Sequence, residues 1–152
     1  MVTKIQLIKH APGAPGLRLL GLGPNFKPCR GITKLKQLLS SHAFWATERT
    51  ESELRRMLQG STVVISIWNK SRMVGFGRAT SDGIYRAVLW DIVVADDLQG
   101  LGLGKRVVKA LLENKSIKEA QRIYLMTSSS QNFYSQLNFQ KSCTQELFIY
   151  KK

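Results

Sequence analysis

Acidic residues are scarce in this sequence. Ten Asp and Glu stand against 23 Lys and Arg in 152 residues, a formal net charge of +13 at pH 7. None of the ten precedes Glu48, so Lys4, Lys9, Arg18, Lys27, Arg30, Lys34 and Lys36 carry an unopposed positive field. Such a field draws anions: nucleic acid, an anionic membrane surface or a polyphosphate ligand. Cysteine is rarer still. Cys29 and Cys143 lie far apart without metal-ligand spacing and read as inert thiols, with no metal site implied. No apolar run approaches the ~20 residues that a membrane helix needs. The N-terminal MVTKIQLIKH alternates like a strand and lacks the apolar core of a secretory signal, so a soluble chain with no membrane partner is expected. Repeats and low-complexity linkers are also missing. One domain over 1–152 is expected, in which a basic segment 1–31 precedes the rest.

What is present alternates between two periods. KIQLIK (4–9) and LRLLGL (17–22) read as short strands around HAPGAPG, whose prolines and glycines make it the one segment expected to be flexible. PNFKPCRG reads as a further loop. Ile32, Leu35, Leu38 and Leu39 fall at helical spacing. Thr50 and Glu53 form a capping-box pair at the start of a second helix that ends at Gly60. Strands are expected over 62–68, 73–80 and 84–95, joined by the short turns NKSR and SDG, as in an antiparallel meander. A helix follows over 103–114, then a strand over 122–127, a short helix at SQNFYSQL and a final strand, ELFIYKK. This order predicts an α+β fold with a central mixed, mainly antiparallel sheet flanked by helices.

The chemistry-bearing stretch is VVADDLQGLGLGKRVVKALLE, residues 93–113. A P-loop does not fit, because Gln99 stands at its first glycine and Arg106 at its Ser/Thr. A dinucleotide fingerprint fails at Lys105, where its third glycine belongs. What remains is Q-x-x-G-x-G: Gln99, Gly102 and Gly104. Glycines clear side chains from a ligand's path, and the free amides of a helix start point at one anion. Lys105 and Arg106 add charge there. The alternative is an ordinary glycine-rich turn.

Ile92, Val94, Gln99, Gly102 and Gly104 resemble the acetyl-CoA signature of the GCN5-related N-acetyltransferase (GNAT) family, with Asp96 where a proline is common. NFYSQLNF (132–139) resembles a second segment of that family at Phe133, Tyr134, Leu137 and Phe139, with Asn138 at its glycine position. Thr127 stands where an Asn or Asp is frequent. The likeness covers roughly 32–150 and is greatest to the cyanobacterial and plastid branch, associated with serotonin (arylalkylamine) and with protein lysine or N-terminal acetylation.

The resemblance implies direct acetyl transfer from acetyl-CoA to a primary amine. It assigns acetyl-CoA binding to the strand Ile92, Val93 and Val94 and to the run Gln99, Gly100, Leu101, Gly102, Leu103, Gly104 and Lys105. It assigns Tyr134 as the general acid that protonates the leaving thiolate. An oxyanion donor is expected at the backbone N–H of Val93 or Val94. Asp91, inside an apolar strand, is the candidate base, with a pKa expected to be raised by burial. His10 and His42 read as surface or cap residues. Phe44, Trp45, Tyr85 and Trp90 are candidates for an aromatic acceptor pocket. Asp82, Asp96 and Asp97 are candidates for drawing in a cationic amine. The implied protein is a monomer or homodimer of the cytoplasm of a cyanobacterium or the plastid stroma. Two other readings stand beside it. One is a basic nucleic-acid- or ribosome-associated protein, for which only the charge speaks. The other is an acetyl-CoA-binding module without catalysis.

Overall fold

Residues Val63 to Trp68 are all buried, as a continuous β-branched run demands: with no polar face, such a strand must be covered on both sides. It lies inside a five-stranded sheet. The computed structural model describes residues 4–152. In chain order its elements are β1 (Ile5–Lys9), α1 (Pro15–Leu20), α2 (Gly31–His42), α3 (Glu51–Gln59), β2 (Val63–Asn69), β3 (Arg72–Ser81), β4 (Arg86–Val94), α4 (Leu103–Glu113), α5 (Lys115–Lys118), β5 (Arg122–Leu125) and α6 (Gln131–Ser135). The sheet order is β1-β2-β3-β4-β5. The first three pairings are antiparallel and β4–β5 is parallel, which is the mixed, mainly antiparallel sheet expected. The parallel step needs a crossover, and α4 with α5 supplies it.

The helices are set by local signals. Thr50 Oγ1 accepts from the Glu53 amide at 3.1 Å and Glu53 Oε1 accepts from the Thr50 amide at 2.9 Å, closing the capping box on α3. On α4, Leu103, Val107, Val108, Ala110 and Leu111 are buried. This helix settles on β3 at Gly77, where an added Cβ would lie 2.5 Å from Val107 Cγ1 and 3.2 Å from Leu111 Cδ1. The missing side chain allows the close approach that sets the start of α4 just beyond the end of β4.

Three segment expectations fail. The 17–22 segment is not a strand: α1 begins at Pro15, whose fixed φ suits the first helical position, and stops at Gly21 in the left-handed region. Only Leu22 makes an isolated bridge, to Pro28. The PNFKPCRG segment (24–31) is irregular up to the start of α2, as expected, with Asn25 and Phe26 at positive φ of 61° and 56°. The 10–16 loop is pinned rather than loose. The Gly13 amide donates to Ser61 O at 3.0 Å, and Ala14 is buried. The final strand does not form, and Leu147, Phe148, Ile149 and Tyr150 are exposed. Their side chains suit a strand, but a strand exists only by pairing with a neighbour, and β4–β5 is the last pairing.

His10 is not a surface residue. Its Nε2 lies 2.7 Å from Oγ of the buried Ser66, which also accepts from Trp68 Nε1 at 2.8 Å. Burial pushes the His10 pKa down to about 4. The unfolded chain, with an ordinary histidine, binds more protons between the two values, so stability rises with pH across that window. The melting temperature is therefore expected to fall as pH drops from about 6.5 toward about 4. In His10→Asn this fall should be visibly shallower. An equal fall in both proteins, read by calorimetry, would place its origin elsewhere.

Candidate active site

β4 is interrupted where it leaves the core. Trp90 pairs with Arg78 and Val93 with Phe76, so Asp91 and Ile92 on β4 face Gly77 alone on β3. This is a β-bulge, and Asp91 carries its positive φ of 53°. A left-handed non-glycine residue costs about 1–2 kcal/mol, least for Asp and Asn. The bulge cancels the strand alternation, so Trp90 and Asp91 line the same cleft.

That first cleft, of about 550 Å³, runs between the 44–49 segment, the end of β4 and the loop after β5. Its walls include Phe44, Trp45, Arg49, Trp90, Asp91, Met126, Thr127, Ser128, Ser129, Ser130, Tyr134 and Leu147. Phe44 meets Trp45 edge-on, with ring centroids 5.0 Å apart. Three of the four expected aromatics are present. Tyr85 is not: it is exposed beyond the far end of β4.

A second cleft of about 510 Å³ is lined by Ile92, Val94, Leu98, Gln99, Gly100, Gly102, Leu103, Gly104, Lys105, Ser130, Phe133, Tyr134, Gln136 and Leu137. The glycine run forms its floor. Gly100 and Gly102 hold φ of 82° and 79°, where a side chain would be strained. Gly102 is the N-cap of α4 and offers no side-chain cap, so the first amides of the helix have no acceptor on the helix itself. The Gln99 side chain braces the loop by donating to Asp96 Oδ1 at 3.1 Å. The structure thus brings most of the expected binding residues to one cleft. Two are set apart: the Val93 side chain is buried in the core and Leu101 points outward.

Tyr134 and Ile92 line both clefts, and so does Ser130. The tyrosine ring is held edge-on by Phe133 at 4.9 Å and Phe139 at 5.9 Å. Burial pushes its phenol pKa up, so it is protonated throughout the neutral range. Asn138, at the position where the family segment has glycine, sits at φ 67°, a conformation that Asn tolerates and that turns Phe139 back onto Tyr134. Thr127 accepts the Ser129 and Ser130 amides at 3.4 and 3.1 Å and so shapes the turn into α6.

The electrostatics of Asp91 differ from the expectation. Its side chain is 6% exposed. Burial is the largest influence and pushes its pKa upward, but hydrogen bonds and charge from Arg49 and Arg78 together overcome this and hold it below the ordinary carboxylate value. Arg49 Nη2 lies 3.0 Å from Oδ1 and Arg78 Nε 2.8 Å from Oδ2. Neither arginine stood out in the sequence. Their partner is 42 and 13 positions away, and nothing local marks them. The other acidic candidates are occupied outside the first cleft. Asp82 accepts the Ile84, Tyr85 and Arg86 amides, and Asp97 pairs through both oxygens with Arg72 at 2.8 Å. Asp96 lies beside His42, whose Nδ1 accepts the Asp96 amide at 3.1 Å.

A glycine-lined cleft and an aromatic-walled cleft thus meet at Ile92, Ser130 and Tyr134. Residues 60–141 match the Acetyltransferase (GNAT) domain family, and the chain belongs to it. Over 115 residues it is 36% identical to the uncharacterized N-acetyltransferase ycf52 of Pyropia yezoensis, covering 72% of this chain and 65% of that one. Over 99 residues it is 38% identical to the chloroplastic serotonin N-acetyltransferase 2 of Oryza sativa subsp. japonica, covering 60% and 48%. The chain therefore spans about two thirds and about half of these relatives' lengths. Among solved structures, a GNAT family acetyltransferase from Streptococcus pneumoniae superposes with a TM-score of 0.70 at 20% identity, over 98% of this chain and 100% of that one. The aminoglycoside N-acetyltransferase AAC(6')-Iy in complex with CoA superposes at 0.67 and 15%, over 100% and 97%. At these identities the two structures show the shared fold.

Proposed function

We propose that this chain transfers the acetyl group of acetyl-CoA directly to a primary amine, either a small arylalkylamine or a protein lysine or N-terminus. One observation carries the reading: the glycine-floored cleft and the aromatic-walled cleft share Tyr134. The residues fit the cosubstrate. The amides at the start of α4, with Lys105 beside them, suit a pyrophosphate, and the end of β4 at Ile92 and Val94 suits an amide-bearing arm next to it. Acetyl-CoA supplies the activated acyl group, and the protein supplies placement and protons. The amine nitrogen forms a bond to the thioester carbonyl carbon as the carbon–sulfur bond breaks. Tyr134 gives its phenolic proton to the departing sulfur, the amine's proton leaves to solvent through the first cleft, where Thr127 and Ser128–Ser130 offer hydroxyls, and the phenolate regains a proton from solvent to close the cycle. A backbone N–H at Val93 or Val94 is the proposed donor to the carbonyl oxygen. Each chain holds both clefts, so a monomer or a homodimer serves equally. The chloroplastic relative supports a plastid setting.

The test is acetyl-CoA-dependent product formation, read by mass spectrometry, with tryptamine, spermidine and short peptides bearing a lysine or a free N-terminus as acceptors. Acetylated product from one acceptor class is expected. Acetyl-CoA binding with no product from any acceptor would mean that the true acceptor lies outside this set or that the chain is the non-catalytic module, and no acetyl-CoA binding would remove the cradle reading altogether.

A further inference from the structure

Among the described residues one carboxylate lines the first cleft, and it is fully engaged. Asp91 Oδ1 accepts from Trp45 Nε1 at 3.1 Å and lies 3.0 Å from Arg49 Nη2, while Oδ2 accepts from Arg78 Nε at 2.8 Å. Trp45 and Arg49 belong to the segment between α2 and α3, and Arg78 belongs to β3. One side chain thus ties the sheet to the segment that covers it. The second indole is tied to the same hub. The Arg78 guanidinium lies 5.7 Å from the Trp90 ring centroid, and Trp90 Nε1 donates to Thr80 Oγ1 at 2.9 Å. Trp45 and Trp90 both line the cleft, and among the described residues Arg49 is the only other charged side chain that does. The positive φ at Asp91 fits this arrangement: the bulge turns the carboxylate toward all three donors.

We infer that Asp91 is a positioning residue, whose carboxylate clamps Trp45, Arg49 and Arg78 so that two indoles stand as walls of the acceptor cleft and select an amine carrying a flat aromatic group. The inference rests on the acetyl-transfer reading of this cleft and deepens it. With two guanidinium groups against one carboxylate, the cluster keeps a net positive charge and offers no counter-charge to a second ammonium, so a polyamine gains nothing from it. A carboxylate with three donors is already stabilised in its charged form and has little tendency to take a proton from the amine.

The experiment compares wild type with Asp91→Asn, Arg49→Gln and Trp45→Phe, with tryptamine as acceptor. A clamp predicts that all three raise the tryptamine KM by about tenfold or more while kcat stays within about threefold and the acid limb of its pH profile does not move. A base predicts another pattern: Asp91→Asn alone lowers kcat by about 100-fold or more and removes the acid limb, and Trp45→Phe is nearly silent. The second pattern overturns the inference. Trp45→Phe leaves the buried charges intact, so folding does not confound it. A further reading needs no acceptor. In the ligand-free chain of residues 1–152, the Trp45 indole N–H resonance should lose its downfield shift and exchange protection in Asp91→Ala, and an unchanged resonance overturns the clamp. Should wild type not acetylate tryptamine, the small-amine part of the proposed function falls, and the indole resonance alone decides the clamp.

Discussion

Replacing Tyr134 by phenylalanine is expected to lower kcat by about 10²–10⁴-fold, the usual contribution of a positioned general acid. The substitution removes one oxygen. The ring contacts with Phe133 and Phe139 survive, and among the described residues the hydroxyl has no protein partner to leave stranded. The melting temperature should therefore hardly move, and a loss of rate cannot be a loss of fold. The KM for acetyl-CoA should also hold, because the cradle lies on the loop before α4 and in its first turn. The phenol pKa, raised by burial, gives the sign of the pH effect. The proton is in place across the neutral range and departs only above the ordinary tyrosine value, so Tyr134 shapes the alkaline limb of kcat and leaves the acid limb to other groups. Steady-state thiol release as a function of pH measures both. A kcat within about threefold of wild type would remove Tyr134 from the proton transfer.

Gly104→Val is expected to weaken acetyl-CoA binding by about 100-fold, the scale of an overpacked site that must shift to accept two added branches. A Cβ at this position would lie 3.1 Å from Phe133 Cζ and 3.7 Å from Val94 Cγ2. That is the second cleft itself, between the end of β4 and α6. Gly104→Ala asks Phe133 to give by a few tenths of an ångström and should be milder. Valine adds two methyls in the same direction and should also disturb the neighbouring Tyr134. Gly100 and Gly102 differ, since a Cβ at either meets nothing within 4 Å and the strain would lie in their positive φ. Calorimetric titration with CoA orders the three proteins. Equal affinity in wild type and Gly104→Val would mean that this cleft does not hold the cosubstrate.

Both predictions concern positions that the sequence marks, for different reasons. Gly104 stands out because three glycines at alternate positions before an amphipathic helix are visible in one short window. Tyr134 stands out only through resemblance, since by itself it is an aromatic in a short helix. Arg49 and Arg78 do not stand out at all. Asp91 was visible as a carboxylate in an apolar strand, yet its direction and its pKa followed from partners that the strand does not contain. Desolvation alone pointed the wrong way because the two guanidinium groups arrive from other elements.

The sequence by itself determined the class of fold, the order of the core elements from residue 31 to 135, and the capping box and glycine run that set the starts of α3 and α4. These rest on spacing and on neighbours within a turn or two, so a linear reading contains their physics. Only the tertiary structure decided the bulge that aims Asp91, the joining of two clefts at Tyr134, the His10–Ser66–Trp68 chain and the unpaired state of residues 147–150. Each depends on which distant group is present as a partner. Trp45 and Asp91 are 46 positions apart, and no local pattern fixes a hydrogen bond at that separation.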